Sequence, residues 1–543
     1  MISAFLLRLA KVSWLLPGFL LWASFPPMGE KTDVVFALAP LLWISRRKDV
    51  RSSVRLWFWN GLLFWVATLS WMPAIVKNGG PWPLVVLGWF CLAAYCAAYF
   101  AAFGYLSAKM WGWAKRGSYV RRLAGVLLFE PILWCGLELI RSRLLGGFSW
   151  NQLGVVAVNG GFGAPAALGG VYLCSAVILL VNGTLAGIAE RTWRPEESGF
   201  PGLRRLGILE TALAFAAIWG LYQIARPSES AEMAETGRPA VKVALVQRNF
   251  PCVFKRQVED PKLVYARLLE NVSALRPDLV VLAESAMCEF GPVDQQGAVR
   301  FAEWVSAQCG GAAVLAGGTR FGDGKEFNSA ALYSFRTTSD FQTAHALSLY
   351  DKVHLVPFGE FIPGDKLIPA LQKLAPVGSC TPGELKILSL PTAEPVPLGV
   401  AICFEDTDSA QMRELARQGA RILFFITNDS WFSQSNETVQ HAWQAVARAI
   451  ETGLPVIRVG NSGVSGTIAP TGQATWLIDA DGRPLVDRDG TMFDRVLAAP
   501  VGHPTPYVRF GDFPLGVAFL LLIGGMILVK YKTHYEKRRN LSL

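Results

Sequence analysis

Long apolar blocks separated by short polar segments make up the first 225 residues of the chain, and one more apolar block lies near its end. An α-helix of roughly 20 apolar residues, rising about 1.5 Å per residue, crosses the roughly 30 Å hydrocarbon core of a bilayer. The pattern therefore predicts a membrane α-helical bundle of about eight transmembrane helices. The candidate spans cover residues 8–27, 33–46, 57–76, 82–108, 123–141, 161–189, 205–225 and 513–529.

Between residues 239 and 510 the apolar runs are shorter and alternate with amphipathic segments. Short apolar runs predict buried strands, and an apolar residue every three or four positions predicts a helix. Strands are expected at 241–247, 278–283, 312–317, 396–403, 421–427 and 454–459, and helices at 259–275 and 439–452. This alternation is typical of an α/β domain whose sheets are covered by helices.

These two patterns predict four segments along the chain. They are a transmembrane domain at 1–225, a polar linker at 226–238, the α/β domain at 239–510, and a C-terminal transmembrane helix with a basic tail at 511–543. Residues 1–27 also resemble a secretory signal peptide. No A-x-A cleavage site follows their apolar run, so we interpret them as a retained first helix.

Composition and charge add a predicted topology. Hydrophobic residues make up 52% of the chain, and the formal net charge is +9. Most Lys and Arg residues outside the α/β domain fall in one set of alternate loops, whereas the opposite short loops hold only Lys31, Lys77, Arg141 and Arg143. The positive-inside rule then places both termini in the cytoplasm and the α/β domain in the periplasm. Since topology accounts for the positive charge, we expect no nucleic-acid partner.

Three reactive side chains stand where predicted extended runs of the α/β domain end. Glu284 follows DLVVLA, Lys352 follows HALSLYD, and Cys403 ends VPLGVAIC. Reactive residues of α/β folds cluster at strand ends. A carboxylate can take a thiol proton and an ammonium can stabilise an oxyanion, so the three residues form a workable acyl-transfer set. Taken singly, each also has an ordinary structural interpretation, as a packed cysteine or a solvated charge.

The residues next to Cys403 in the sequence imply that its thiol needs a nearby proton acceptor. A thiolate there would be repelled by the carboxylates of Glu405 and Asp406, so a nearby group must accept the thiol proton. Glu284 beside Lys352 can fill that role. The nine cysteines form no C-x-x-C pair and show no metal-ligand spacing, so the sequence predicts no metal site.

Several longer motifs surround these residues in a fixed order. They are VALVQRNFP (243–251), YDKVHLVPFGEFIP (350–363), AICFED (401–406), ITNDSWF (426–432), QHAWQAVARAIETGLPVIRVGNSGVSGTIAPTG (440–472) and HPTPYVRFGDFPL (503–515), with LELIRSRLLGGFSWNQLG (137–154) in the helical half. The set resembles the nitrilase, or carbon–nitrogen hydrolase, superfamily and, within it, the apolipoprotein N-acyltransferase family. One difference precedes Glu284, where Leu282 and Ala283 replace the aromatic residue and proline that are usual in the superfamily.

The resemblance implies an α-β-β-α sandwich with a Glu–Lys–Cys triad. Cys403 would be the nucleophile, Glu284 the base and then the acid, and Lys352 the group that supports the oxyanion. The supporting active-site residues that it implies are Glu360, Phe404 and Glu405.

For function, the resemblance implies a multi-pass enzyme of the bacterial inner membrane. It would move an acyl chain from a phospholipid, through a thioester on Cys403, to the α-amine of the N-terminal S-diacylglyceryl-cysteine of an apolipoprotein. We expect neither a metal nor a soluble cofactor, and we expect a monomer.

Two other classes of function stay open at this point. A membrane-tethered amidase or nitrilase would hydrolyse a C–N bond and would need water at the thioester, with the first seven helices serving as an oversized anchor. A non-enzymatic scaffold or transporter would not need all three reactive residues.

Overall fold

The chain forms two compact units. The computed structural model describes residues 13–115, 119–193, 203–225, 237–250, 259–337, 343–364, 379–502 and 504–541, so most of the predicted linker at 226–238 lies outside the described residues. A helical unit comprises Met1–Ser70, Gly88–Arg226 and Phe510–Leu543, and an α/β unit comprises Trp71–Leu87 and Pro227–Arg509.

Among the described residues, five helices are long and apolar enough to cross a membrane. They are Trp82–Ala114, Tyr119–Arg141, Ala166–Thr192, Gly207–Ala225 and Phe513–Lys532. Shorter helices of the helical unit cover Leu16–Ala23, Ala39–Ser45, Val50–Thr68 and Leu153–Ala157. The five long helices agree with five of the predicted spans and support a membrane bundle.

The other three predicted spans correspond to shorter or more polar helices, so the total of eight stays a prediction. The span predicted at 57–76 is the helix Val50–Thr68. Its start is set by Asp49, whose carboxylate accepts a hydrogen bond from the Ser52 backbone N–H at 3.1 Å as an N-cap. This early start brings two arginines into the helix. At the remaining two spans, 8–27 and 33–46, the described α-helices are Leu16–Ala23 and Ala39–Ser45.

The loop of the 137–154 motif is held by two buried charged side chains. Arg141 donates to the carbonyl oxygens of Phe148 (2.8 Å) and Trp150 (2.9 Å). Glu138 accepts a hydrogen bond from the Leu153 N–H (2.8 Å). Because these bonds satisfy backbone groups of the loop, they lower the cost of keeping irregular backbone inside an apolar unit.

The α/β unit contains two six-stranded sheets. The strands are β1 (Ala240–Gln247), β2 (Leu279–Leu282), β3 (Ala313–Gly322), β4 (Lys325–Thr337), β5 (Thr343–Asp351), β6 (Leu388–Leu390), β7 (Val396–Ile402), β8 (Ile422–Asn428), β9 (Val456–Asn461), β10 (Gly466–Ile468), β11 (Ala474–Trp476) and β12 (Gly490–Leu497). The first sheet has the order β12-β1-β2-β3-β4-β5, and the second has the order β11-β10-β9-β8-β7-β6.

The two sheets share one apolar core, and helices cover their outer faces. Val243 and Leu315 of the first sheet and Val400 and Phe424 of the second all lie in this core. The strands read as continuous apolar runs because one face meets the other sheet and the opposite face meets helices. The covering helices are Pro261–Ser273 and Gln296–Gln308 on the first sheet, and Ser409–Arg417 and Glu437–Thr452 on the second. This arrangement confirms the predicted α-β-β-α sandwich.

The strand directions bring the reactive residues to one end of the sheets. Strands β1, β2 and β3 run parallel, and so do β7, β8 and β9. Glu284 lies two residues after β2, and Cys403 lies directly after β7. Lys352 follows β5, which pairs antiparallel with β4. The apolar runs did not predict β4 and β5, since these strands mix polar and apolar residues.

A segment from the N-terminal half of the sequence belongs to the α/β unit. Asn78 Nδ2 donates to the carbonyl oxygens of Ser430 (3.3 Å) and Trp431 (2.6 Å). The rings of Trp71 and Phe432 meet edge to face, with their centroids 4.8 Å apart. The loop that follows β8 is therefore fixed by residues far earlier in the chain.

Candidate active site

Cys403 opens the 3₁₀ turn Cys403–Thr407, directly after β7. Its φ is +55°, a left-handed conformation that costs a residue with a Cβ on the order of 1–2 kcal/mol. Such residues cluster at functional sites, where the surrounding structure imposes the conformation. The side chain is half-buried and packs against the core between the sheets.

Glu405 holds this turn in place. Its carboxylate is fully buried and accepts hydrogen bonds from four groups. The donors are the hydroxyl of Tyr350 (2.9 Å) and the backbone N–H groups of Val353 (2.8 Å), His354 (3.0 Å) and Ile402 (2.8 Å). Since these donors come from both sheets, Glu405 joins the Cys403 turn to the segment that carries Lys352.

Three charged side chains meet in this part of the unit. Lys352 Nζ lies 2.9 Å from Glu360 Oε1 and 3.9 Å from Glu284 Oε1. Lys352 is only 1% exposed, so water screens these contacts weakly. Glu360 is fixed in turn by the Val356 N–H, which donates to its Oε2 at 2.7 Å.

Asn328, in β4, is a site residue that the sequence analysis missed. Its Nδ2 donates to Glu284 Oε1 (2.7 Å) and to Glu360 Oε1 (2.6 Å). One amide nitrogen thus uses both of its hydrogens to hold two carboxylates at fixed positions. The backbone carbonyl oxygen of Asn328 accepts a hydrogen bond from the backbone N–H of Lys352 at 2.8 Å. In the sequence Asn328 is a single polar residue within a strand, and such residues are too common to identify a site.

The pKa values of the base candidate and of the thiol are both raised. Burial raises the pKa of Glu284 above its usual value, although Lys352 and Asn328 oppose this effect. A carboxylate with a raised pKa accepts a proton more readily, which suits a general base. Burial and then the charge of Glu284 raise the pKa of the Cys403 thiol well above its usual value. At neutral pH the resting group is therefore a thiol, which must lose its proton in order to react.

The ammonium of Lys352 stays charged. Burial by itself would lower the pKa of Lys352, but the negative charges of Glu360, Cys403 and Glu284 raise it above its usual value. A fixed positive charge here can stabilise negative charge on the sulfur or on an oxyanion of a bound acyl group.

The structure brings the six predicted site residues together. Glu284, Lys352 and Glu360 form the charged cluster, and Cys403 interacts electrostatically with all three. Phe404 contacts the ring of His354 edge to face, with the centroids 5.7 Å apart, and Glu405 anchors the turn. A nucleophile, a base and an oxyanion-stabilising cation in one buried site can perform acyl transfer.

One further cluster has donor atoms suitable for a metal. Among the described residues, ligand atoms of Asp429, Glu437 and His441 lie within 4.8 Å of one another. Arg458 Nη2 already lies 3.2 Å from Asp429 Oδ2. Since the guanidinium and His441 supply positive charge beside Asp429, we interpret these contacts as an ion-pair network and assign no metal to them.

Comparisons with known proteins match both halves of the chain. The family model for the apolipoprotein N-acyltransferase N-terminal domain matches residues 17–184, and the carbon–nitrogen hydrolase model matches residues 242–499. The chain is 33% identical to an apolipoprotein N-acyltransferase of Geobacter metallireducens over 477 residues, which covers 84% of each protein. It is 28% identical to one of Photobacterium profundum over 510 residues, covering 92% of this chain and 90% of the relative.

The chain is also similar to a solved structure of an amidase from Nesterenkonia sp.. The identity is 17%, the TM-score is 0.35, and the match covers 50% of this chain and 92% of the amidase chain.

Proposed function

This chain belongs to the apolipoprotein N-acyltransferase family, and we propose that it transfers an acyl chain from a phospholipid to the α-amine of the N-terminal S-diacylglyceryl-cysteine of apolipoproteins. The observation that carries this proposal is the buried arrangement of Glu284, Lys352 and Cys403. It occurs in a chain with five membrane-length helices among its described residues. Since both substrates are lipids, a membrane enzyme meets them in the bilayer.

In the first half-reaction, the Cys403 sulfur attacks the ester carbonyl of the phospholipid while Glu284 takes the thiol proton. The carbonyl oxygen becomes an oxyanion, and the ammonium of Lys352 stabilises it. The ester C–O bond then breaks, and Glu284 gives its proton to the departing lysophospholipid oxygen. An acyl thioester remains on Cys403.

In the second half-reaction, the neutral α-amine of the acceptor attacks the thioester. Glu284 takes a proton from the attacking nitrogen, and Lys352 again stabilises the oxyanion. The C–S bond breaks, and the leaving thiolate recovers a proton from Glu284. The product is an amide, and both Cys403 and Glu284 return to their starting states.

The other predicted site residues support these steps. Glu360 pairs with Lys352 and so fixes the direction of its ammonium. Glu405 holds the nucleophile turn through its buried hydrogen bonds. Phe404 packs beside His354 and lies next to the nucleophile in the sequence, where it contributes an apolar surface.

The proposal is tested by following both halves of the acyl donor. Purified full-length protein is incubated with a phospholipid of known acyl chains and with a peptide that carries an N-terminal S-diacylglyceryl-cysteine. We expect equal amounts of lysophospholipid and N-acylated peptide, measured by mass spectrometry. A peptide whose α-amine is already acetylated serves as the control and is expected to receive no acyl chain.

The same assay separates the alternative functions. Release of free fatty acid at the same rate with either peptide would identify water as the acceptor and a hydrolase as the enzyme. Absence of both products in folded protein would favour a non-enzymatic role.

We also propose that the protein is a monomer of the inner membrane with its α/β unit in the periplasm and both termini in the cytoplasm. The distribution of Lys and Arg supports this topology. Single cysteines placed at the exposed Asp323 and at the C-terminus are expected to react on opposite sides of the membrane with a thiol reagent that cannot cross it. Labelling of both from one side would contradict the topology.

A further inference from the structure

Four buried charged side chains form a closed set in the α/β unit, here called the charge ring: Asp406, Asp429, His441 and Arg458. His441 Nε2 lies 3.0 Å from Asp406 Oδ1, and its Nδ1 lies 3.1 Å from Asp429 Oδ1. Arg458 closes the ring, with Nη1 2.5 Å from Asp406 Oδ2 and Nη2 3.2 Å from Asp429 Oδ2. No charge in the ring faces water, because all four residues are at most 1% exposed.

The geometry of the charge ring fixes the protonation state of His441. Each imidazole nitrogen of His441 has a carboxylate oxygen as its partner, so each nitrogen must carry a hydrogen, and the side chain is an imidazolium. Burial would lower the pKa of His441, but Asp406 and Asp429 raise it to about 10. The ring therefore holds two negative and two positive charges at neutral pH, and its net charge is zero.

The ring connects the turns that carry the reacting groups. Asp406 lies in the Cys403–Thr407 turn itself. Asp429 follows Asn428, whose Nδ2 donates to the Ser285 hydroxyl at 2.9 Å, next to Glu284. The charge of Asp429 raises the pKa of the Cys403 thiol, and Arg458 also interacts electrostatically with this thiol. A change in the net charge of the charge ring is therefore expected to change the pKa of the Cys403 thiol.

Other charged groups also lie near the ring and the thiol. Glu437 Oε1 lies 3.5 Å from His441 Nδ1, and burial together with Asp429 raises the pKa of Glu437 to about 8. Glu437 is therefore mostly neutral at pH 7. Besides Asp429, the charged groups with the largest effect on the pKa of the thiol are Glu284, Lys352 and Glu360. Glu405 lies in the turn of Cys403 and accepts its hydrogen bonds from Tyr350 and from backbone N–H groups. Arg448 and Glu451, further along the helix of His441, pair with each other.

We propose that His441 is a positioning residue for the nucleophile, and that its positive charge at neutral pH keeps the charge ring neutral so that the Cys403 proton can leave. Without that charge, one negative charge would remain uncompensated in a buried region close to the thiol, and it would oppose thiolate formation. The proposal rests on the assignment of Cys403 as the nucleophile under the proposed function.

The test measures alkylation of Cys403 by iodoacetamide as a function of pH in the purified full-length protein, by mass spectrometry of the Cys403 peptide. Every protein carries Glu437→Gln, so that this carboxyl cannot ionise and mask a change in the ring. His441→Gln leaves the ring with a net negative charge and is expected to move the alkylation midpoint up by about 1 pH unit. Asp429→Asn leaves a net positive charge and is expected to move it down.

The double variant His441→Gln/Asp429→Asn shows whether the shifts come from the net charge of the charge ring or from lost hydrogen bonds. It restores a neutral ring, so its midpoint is expected to return towards that of the Glu437→Gln protein, although it lacks more hydrogen bonds than either single variant. A double variant that departs further than both single variants would overturn the proposal. Single variants that shift in the same direction, or not at all, would overturn it as well.

A charge-retaining variant keeps the test decisive if His441→Gln does not fold. His441→Lys preserves the positive charge without the second ring nitrogen, and its midpoint is expected to stay close to that of the reference. An upward shift in folded His441→Lys would overturn the proposal. Because iodoacetamide requires neither lipid nor acceptor, the result does not depend on whether the proposed acyl-transfer reaction is correct.

Discussion

Cys403→Ser is expected to fold and to form no acyl-enzyme intermediate, with acyl transfer reduced by a factor on the order of 10⁴ or more. A serine hydroxyl is much harder to deprotonate than a thiol, and burial already raises the pKa of the thiol at this position. Glu284 would therefore have to remove a far less acidic proton. The measurement is the mass of the intact protein after incubation with phospholipid, followed by hydroxylamine, which cleaves thioesters.

Cys288→Ser is the matched control for this variant. Cys288 is exposed and lies four residues after Glu284, so the same chemical change is made close to the site without removing the nucleophile. We expect this variant to form the thioester at the normal rate. A fully active Cys403→Ser protein, or a thioester on another cysteine, would refute the acyl-transfer mechanism.

Glu284→Gln and Lys352→Met are expected to slow thioester formation in different ways. Gln keeps the size and hydrogen-bonding groups of Glu284 but cannot accept the thiol proton, so a loss on the order of 10²–10⁴-fold is expected. Met removes the charge that stabilises the oxyanion, and a loss on the order of 10²–10³-fold is expected. The two roles are separated by single-turnover acylation measured from about pH 6 to 9.5, a range that includes the usual thiol pKa of about 8.5.

The sign of each pH dependence follows from the group that must ionise. In Glu284→Gln no base is present, so the rate is expected to keep rising with pH as more thiolate forms. In Lys352→Met the base is intact, but loss of a charge that lowers the pKa of Glu284 moves the onset of activity to higher pH. Above that onset the rate is expected to level off at a low value, because the oxyanion still lacks its partner.

Glu289→Gln serves as the control for the loss of a nearby carboxylate, since Glu289 is exposed and lies five residues after Glu284. Its pH profile is expected to match that of the unmodified protein. The two roles would be wrongly assigned if raising the pH increased the rate of thioester formation equally in both active-site variants. They would also be wrongly assigned if raising the pH did not increase this rate in Glu284→Gln.

The α/β class and the places of the reactive side chains at strand ends could be predicted because their signals are local, whereas the sandwich and the roles of these residues followed from the family resemblance. Strands β7 and β8 read as unbroken apolar runs, since both faces are buried, and Cys403 stands directly at the end of one of them. Glu284 likewise follows a fully buried run. In these cases the chemistry and the burial are visible within a few consecutive residues.

The supporting contacts could not be predicted, because they depend on strand pairing. Asn328 reaches Glu284 and Glu360 only because β4 lies beside β5 in the first sheet. The same limit applies to His441, which falls within one of the motifs of the resemblance but whose partners Asp406 and Asp429 come from two other elements. Periodicity predicts that a residue is buried, but it does not predict which residue faces it.

The segment Trp71–Leu87 is synthesised well before the rest of the α/β unit, which begins at Pro227. Asn78 is made 352 residues before Ser430, to whose carbonyl it donates, so the loop after β8 completes its contacts only when this early segment is present in the same compartment. A fragment that begins after residue 226 would lose the contacts from Asn78 and Trp71, and the loop next to Asp429 would be less well fixed. A short stretch of the N-terminal half of the sequence thus completes the packing of a loop in the α/β unit.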